Sequence, residues 1–368
     1  MSDTSPVLPR YGKGALSDVV PVLCAPGGPR IIPNWMPDIV AHAPRVVLLL
    51  LDGLGWNQLQ DHVADMPTLS QFVGSHITTV APSTTATALT SLTTGLAPGE
   101  HGIIGYRVDM GDTVMNVLRW GDENGDLRRR YPPQQIQPCP PFLGARVPVL
   151  SKGELEGSGF TMAHLSGVKP MGWRAASSIP VIVRDALQAG EEFVYAYYDG
   201  IDKIAHERGF GDYYRAELRA ADSLIADILS VLPSDTVLVV TADHGQVHVG
   251  ENTIIPSPDI ASLVHHQSGE GRFRWLHARR GRETDLLETC RQYENVAWVV
   301  TRAQVVDEAW FGPRVSDSIV RRMGDVALVA KEAVSFEEPL DSGAYELVCR
   351  HGSLTADEML VPLLARRV

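Results

Sequence analysis

Three short runs of apolar residues stand out along the chain, at residues 46–51, 193–198 and 236–241. Continuous apolar runs of this length are typical of parallel strands that are buried on both faces of a sheet. From Tyr214 to Leu232, apolar residues recur every three or four positions, which predicts an amphipathic helix between the last two strands. The pattern therefore predicts a β–α–β unit and an α/β fold with a mostly parallel sheet.

A second helix is predicted over residues 83–95, with Ser83 as its N-cap residue and Gly95 just after its last turn. Threonine is frequent in this segment, although it is a mediocre helix former. A local sequence that disfavours its own predicted structure is typical of a functional site.

Two longer segments interrupt the pattern of the sheet. Residues 105–150 are rich in turn-forming residues, with a short hairpin expected at 114–120. Residues 251–340 alternate between strand-like and helix-like stretches, which predicts a small α+β cap inserted into a catalytic core of residues 1–250 and 341–368. The expected elements of the cap are strands at 273–278, 297–301 and 325–330 and a helix at 283–292.

Charge and cysteine content limit the classes of partner and compartment. The formal net charge of −12 excludes a general affinity for nucleic-acid polymers or anionic membranes. The sequence shows no run of eighteen apolar residues and no basic, apolar leader, so we expect neither a membrane helix nor secretion. We expect a monomer. We also expect it in the cytoplasm, because the cysteines lack CxxC spacing and fit a reducing compartment. They are Cys24, Cys139, Cys290 and Cys349.

Acidic residues and histidines follow the predicted strands. Asp52 comes directly after the first strand, and Asp243 with His244 follows the third. After the second strand, Asp202 and His206 are four residues apart, so they share one face if this segment is helical. The carboxyl ends of parallel strands are where open α/β sheets place their ligands. Taken singly, each motif is more typical of an ordinary turn or a surface acid–histidine pair.

Hydroxyl groups occur at the start of the predicted 83–95 helix, where Ser83, Thr84 and Thr85 are consecutive. The N-terminus of a helix offers free N–H groups and a positive dipole end, which suit a phosphate group. An ordinary helix cap is the alternative for this motif. A single histidine, His351, occurs in a His-Gly pair near the C-terminus.

In this order, the motifs resemble the alkaline phosphatase superfamily and, within it, the type I phosphodiesterases and nucleotide pyrophosphatases. The matching stretches are residues 45–108, 193–247 and 345–365. The resemblance implies an alkaline-phosphatase-like core, in which helices flank a mostly parallel central sheet. It also implies a metal-dependent hydrolase that acts on phosphoric diesters.

The resemblance further implies two divalent metal ions and a threonine nucleophile. Mixed carboxylate and imidazole ligands suit zinc and also manganese. Thr85 would attack the phosphorus and form a phospho-threonine intermediate, with Thr84 as the alternative nucleophile. The implied ligands are Asp202, His206 and His351 for one ion, and Asp52, Asp243, His244 and the Thr85 oxygen for the other.

The sequence departs from the pattern of this family at one position. Three residues after the nucleophile, many members carry an asparagine that holds a phosphate oxygen, and here the residue is Ala88. Another donor, such as the N–H group of Thr85 or Ala86, must take its place. No arginine follows Thr85, which argues against a dedicated phosphomonoesterase.

The expected substrate is a small nucleotide, with Tyr106, Trp120 and His248 as candidate contacts. Packing in the core is the alternative for both aromatic residues, and solvent exposure for His248. Compact chains of this type also resemble bacterial cyclic di-AMP phosphodiesterases, so the expected reaction converts cyclic di-AMP through pApA to AMP. The alternatives are hydrolysis of other dinucleotides or nucleotide pyrophosphates, phosphonate or phosphomonoester hydrolysis, and a catalytically silent nucleotide-binding protein.

Overall fold

The computed structural model describes residues 5–24, 30–338 and 347–368. Most of the strands are short, and the longest of them lie in the central sheet and in residues 264–278. Numbered along the chain, they are β1 (Arg45–Leu51), β2 (Val73–Thr78), β3 (Arg107–Asp109), β4 (Val114–Asn116), β5 (Gly121–Asp122), β6 (Gly125–Asp126), β7 (Pro148–Leu150), β8 (Lys169–Pro170), β9 (Phe193–Tyr198), β10 (Thr236–Thr241), β11 (Val247–His248), β12 (Thr253–Ile254), β13 (Val264–Glu270), β14 (Phe273–Ala278), β15 (Ala297–Thr301), β16 (Val326–Ala330), β17 (Ser335–Phe336), β18 (Cys349–Arg350) and β19 (Leu360–Arg367).

The α-helices range from single turns to the twenty-residue α9. They are α1 (Val19–Leu23), α2 (Trp56–Asp61), α3 (Thr85–Thr94), α4 (Pro98–His101), α5 (Pro133–Ile136), α6 (Gly159–His164), α7 (Ile179–Gln188), α8 (Gly200–Arg208), α9 (Asp212–Val231), α10 (Pro258–Leu263), α11 (Glu283–Cys290), α12 (Arg302–Asp307), α13 (Asp317–Val320) and α14 (Ala356–Met359). Within the described residues, no helix combines the length and apolar character that a membrane span requires.

Seven strands form the central sheet, in the order β2-β19-β10-β1-β9-β7-β8. Only β19 runs against its neighbours, so the sheet is mostly parallel and helices flank it, as the sequence predicts. Residues 46–51 of β1 are completely buried, which is why their sequence is apolar at every position. The fold is therefore the expected mixed α/β architecture.

The register of β1 aligns the ends of the three predicted strands. Leu50 pairs with Tyr197 of β9 on one side and with Thr241 of β10 on the other. All three strands are parallel, so the residues that follow them emerge at one edge of the sheet. The β–α–β unit from β9 to β10 spans β1, which lies between these strands and comes earlier in the chain.

The threonine-rich helix α3 begins one residue later than predicted. Its N-cap residue is Thr84 and not Ser83. The Ser83 hydroxyl instead donates a hydrogen bond to the carbonyl of Ser353 at 2.6 Å and accepts one from the Gly352 N–H at 3.1 Å. Gly95 ends the helix as expected, in the left-handed region at φ 71°.

The two inserted segments form sheets of their own. The hairpin expected at residues 114–120 is part of a four-stranded meander, β3 to β6. The second segment contains a four-stranded sheet in the order β13-β14-β16-β15, and its three predicted strands are present to within one residue. Helix α11 ends two residues earlier than predicted, and a turn of 3-10 helix, Arg291–Tyr293, follows it.

The division into a core of residues 1–250 and 341–368 and a cap of residues 251–340 stays a prediction. Part of its boundary, residues 339–346, lies outside the described residues. The sheet β13-β14-β16-β15, called the second sheet below, has two apolar faces. One face, with Phe273 and Trp275, packs into the same apolar core as the central sheet. Its other face, with Leu276 and Leu328, buries a separate cluster under α10 and α11.

Candidate metal centre and nucleophile

The motif residues meet at the edge where the parallel strands end. Asp52 follows β1 directly, and Asp243 lies two residues beyond β10. Helix α8 begins two residues after β9 and carries Asp202 and His206 on one face, as their spacing predicts. His351 follows β18. The hydrogen bonds of Ser83 with Gly352 and Ser353 attach the loop after β18 to the start of α3.

One group of ligands consists of Asp52, Asp243 and His244, all of which are buried. The Nε2 atom of His244 lies 3.5 Å from Oδ1 of Asp52 and 3.4 Å from Oδ2 of Asp243. The hydroxyl oxygen of Thr85 is 3.1 Å from the same Nε2. Thr85 is the first residue of α3, so the helix N-terminus holds its hydroxyl beside this group.

A second group surrounds Asp202. Its Oδ1 lies 3.2 Å from Nε2 of His206 and 3.9 Å from Nε2 of His351. The rings of His351 and His244 stack with their centroids 3.5 Å apart, so the two groups are contiguous. The structure thus brings together all seven residues that the sequence proposes for the metal centre.

The three histidines present the same nitrogen to the centre. Each Nδ1 faces a main-chain carbonyl, which can only accept, so each Nδ1 donates and leaves the Nε2 lone pair for a ligand. The carbonyl partners are Cys349 for His206 at 2.6 Å, Ser83 for His351 at 2.9 Å, and Gly245 for His244 at 3.1 Å.

Asp52 and Asp243 carry negative charge that no neighbouring cationic side chain among the described residues fully neutralises. Burial, followed by the charges of Asp243 and Asp202, raises the pKa of Asp52 well above its ordinary value. Burial also raises the pKa of Asp243, although His244 opposes the shift. Oδ1 of Asp52 and Oδ2 of Asp243 have no hydrogen-bond donor among the described residues. Buried, unpaired carboxylate oxygens beside free imidazole nitrogens fit divalent cations.

Burial alone would raise the pKa of Asp202 as well. The neighbouring His206 and His351 outweigh this effect and lower it, so Asp202 is ionised. Gln246 also contacts this carboxylate, because its side-chain amide donates to Oδ1 of Asp202 at 2.9 Å. The sequence analysis missed Gln246, although its position directly after Asp-His-Gly could have drawn attention to it.

Tyr197 is a second residue that the sequence analysis missed. Its hydroxyl donates a hydrogen bond to Oδ2 of Asp52. Burial and the charge of Asp52 raise the pKa of Tyr197 well above its ordinary value, so the hydroxyl keeps its proton and remains a donor. This bond directs the other oxygen of Asp52 towards His244.

A Tyr197→Phe variant tests this positioning role. We expect its metal affinity to fall by about 10–100-fold, as is typical when a group that orients a ligand is removed. Competition with a chromophoric chelator measures the affinity. The matched control is Tyr198→Phe, because the Tyr198 hydroxyl bonds Glu217, away from the centre. Equal affinities in the two variants would contradict the role of Tyr197.

The predicted substrate contacts have different surroundings. Tyr106 is half-buried and lines a cleft of 960 Å³ between the meander and β13. Trp120 is fully buried, and its indole N–H donates to the carbonyl of Tyr131 at 2.8 Å. The prediction for Trp120 is therefore wrong, because no face of its ring is available to a nucleotide base. His248 is exposed on β11, near Phe210.

A comparison with models of protein families identifies the class of reaction. Residues 46–354 match the model of the type I phosphodiesterase/nucleotide pyrophosphatase family. The chain belongs to this family. It is thus a phosphoester hydrolase, from a superfamily whose members typically use two metal ions. A comparison with curated proteins by sequence gives no match.

Several solved structures share the fold of this chain. Murine ectonucleotide pyrophosphatase/phosphodiesterase 5 is 14% identical, with a TM-score of 0.63 over 88% of both chains. An inactive form of that protein has been solved in complex with AMP. Phosphonoacetate hydrolase from Sinorhizobium meliloti 1021, in complex with phosphonoformate, is 17% identical, with a TM-score of 0.63 over 89% of this chain and 91% of its own.

Proposed function

We propose that this chain hydrolyses a phosphodiester bond of a small nucleotide, with Thr85 as the nucleophile and two divalent metal ions in the centre. The observation that carries the proposal is the position of the Thr85 hydroxyl, 3.1 Å from Nε2 of His244. His244 belongs to one ligand group and stacks on His351 of the other. A catalytically silent nucleotide-binding protein would have no need for a hydroxyl at this point.

The carboxylate and imidazole groups of this centre suit zinc or manganese. Asp202, His206 and His351 would hold one ion. The second would lie between Asp52, Asp243 and His244, within reach of Thr85. When bound, such ions lower the pKa of a neighbouring hydroxyl and neutralise charge on the phosphoryl oxygens.

The residues of the chain supply the remaining steps. Thr85 attacks the phosphorus in line with the leaving oxygen, so the bond between phosphorus and that oxygen breaks and a phospho-threonine forms. Water then cleaves this ester and regenerates the hydroxyl. Ala88 is buried in the core and contributes no donor. The first N–H groups of α3, those of Thr85 and Ala86, have no acceptor within the helix and can bind a phosphoryl oxygen instead.

Within this reaction class, cyclic di-AMP is the proposed substrate, with pApA as the intermediate product and AMP as the end product. The resemblance to bacterial cyclic di-AMP phosphodiesterases supports this choice, and so does the complex of a structural relative with AMP. The net charge of −12 disfavours long nucleic acids and leaves compact nucleotides. Cytoplasmic location and a monomeric state stay predictions that accompany this substrate.

A panel of substrates tests the proposal. The purified protein is incubated with cyclic di-AMP, cyclic di-GMP, pApA, diadenosine tetraphosphate and ATP, and the products are separated by chromatography. We expect cyclic di-AMP to give pApA first and AMP later. Rapid cleavage of another member, with no pApA or AMP from cyclic di-AMP, would refute the substrate and leave the phosphodiesterase reaction intact.

Phosphonate hydrolysis is the second candidate, because a phosphonoacetate hydrolase shares the fold over almost its whole length. The same panel therefore includes phosphonoacetate, bis-p-nitrophenyl phosphate and p-nitrophenyl phosphate. The diester bis-p-nitrophenyl phosphate should be the fastest substrate of these three, since no arginine follows Thr85 to neutralise the additional charge of a monoester. Release of phosphate from phosphonoacetate alone would favour the second candidate.

A further inference from the structure

A separate group of potential metal ligands lies where the meander meets the second sheet. Asp109 ends β3, His266 lies on β13, and His277 lies on β14. None of the three belongs to the candidate metal centre described above. Asp109 and His277 are buried, and His266 is partly exposed.

The pairing of β13 and β14 explains why the two histidines lie together. His266 and His277 are directly opposite each other in this antiparallel pair. Their rings stack with centroids 4.0 Å apart and planes inclined by 18°. Oδ2 of Asp109 faces both rings, at 3.3 Å from Nε2 of His266 and 3.5 Å from Nδ1 of His277.

These separations match the edges of a tetrahedral metal site. Zinc bonds nitrogen and carboxylate oxygen at about 2.0–2.1 Å, which places two tetrahedral ligands about 3.3 Å apart. The three ligand atoms lie within 4.8 Å of one another, so a single ion could contact Oδ2 of Asp109 and one nitrogen of each histidine.

Neighbouring groups already orient two of the three side chains. The hydroxyl of Ser268 lies 2.9 Å from Nε2 of His277, and the N–H of Gly111 donates to Oδ1 of Asp109 at 2.8 Å. The atoms Nδ1 of His277 and Oδ2 of Asp109 are thus turned towards each other. Nε2 of His266 is buried and, apart from the facing Oδ2 of Asp109, has no polar partner among the described residues. Hydrogen bonds to the atoms of a ligand residue that do not face the metal are typical of metal sites.

The group opens onto the 960 Å³ cleft, because Asp109 and His266 belong to the lining of that cleft. We propose that Asp109, His266 and His277 form a third divalent metal site, of the zinc type, with its fourth position facing the cleft. A site with three protein ligands and one open position can bind water or an anionic oxygen of a ligand. It also links β3 of the meander to β13 and β14 of the second sheet.

Metal stoichiometry tests this site independently of the phosphodiesterase centre. Metal-free protein is loaded with Zn²⁺ and desalted, and zinc per folded chain is measured by mass spectrometry. The variants are His277→Ala and the nearly isosteric Asp109→Asn. The matched control is His42→Ala, which removes an exposed imidazole elsewhere.

We expect both variants to hold one zinc fewer per chain than the parent and His42→Ala. In addition, Zn²⁺ should raise the melting temperature of the parent more than that of either variant, because the lost ion stabilises only the folded chain. An equal zinc content in the parent and both variants would overturn the proposal and reduce the group to an aspartate–histidine ion pair. The number of ions in the other centre does not affect this comparison.

Discussion

A Thr85→Ala variant is expected to hydrolyse phosphodiesters at least about a thousandfold more slowly than the parent, on the scale seen when a nucleophile is removed. The variant should keep its metal content, because the carboxylate and imidazole ligands are unchanged. Initial rates with bis-p-nitrophenyl phosphate measure the loss, and metal analysis of the same samples checks the content.

Two further variants identify the attacking oxygen. Thr85→Ser retains a hydroxyl and should keep part of the activity. Thr84→Ala tests the alternative nucleophile, since Thr84 is the N-cap residue of α3 and its side chain makes no cap hydrogen bond. Activity near the parent level in Thr84→Ala supports Thr85. Parent-like turnover in Thr85→Ala, with a loss in Thr84→Ala, would reassign the role to Thr84.

Loss of the Asp243 carboxylate is expected to abolish activity, as is removal of the metals by a chelator. The Oδ1 atom of Asp243 accepts hydrogen bonds from the N–H groups of Gly53 and His244, both at 3.1 Å, and Oδ2 faces His244. In Asp243→Ala the centre loses a ligand and also the negative charge that balances the cation. Rates before and after dialysis against chelator, and after metal is restored, measure the effect. Full activity in excess chelator would contradict it.

Thermal stability distinguishes a metal-binding role of Asp243 from a purely structural one. Burial raises the pKa of Asp243 in the folded chain, so its ionised form destabilises the fold. This effect is absent below the ordinary pKa, grows as the pH rises from that value to the folded pKa, and is constant above it. At neutral pH without metal, Asp243→Asn should therefore melt at a higher temperature than the parent. With saturating metal, the order should reverse, because the parent binds the ions more tightly. A lower melting temperature under both conditions would indicate a purely structural role.

The sequence predicts that the candidate metal ligands lie together, because these residues occupy positions that local structure determines. Asp52 and Asp243 follow short apolar runs that favour buried parallel strands, so their place at the sheet edge follows from that prediction. Asp202 and His206 share a helix face because four residues make about one turn. The order of strands in the sheet does not follow from these patterns, since β1 separates β9 from β10.

Other features depend on long-range packing and have no local signal. Tyr197 lies on a uniformly apolar strand, and only the register of β9 against β1 directs its hydroxyl to Asp52. The spacing of Trp120 does not show whether its ring is exposed or enclosed. The third group of ligands combines residues from three strands, and the pairing of His266 with His277 appears only when β13 and β14 are in register.

The stereochemical course at phosphorus tests the central claim most directly. A phosphorothioate diester of known configuration is hydrolysed in ¹⁸O-labelled water, and the configuration of the chiral product is determined. Each in-line displacement inverts phosphorus, so attack by Thr85 followed by attack of water predicts overall retention. Inversion would show that water attacks the diester directly, and would contradict a phospho-threonine intermediate at Thr85.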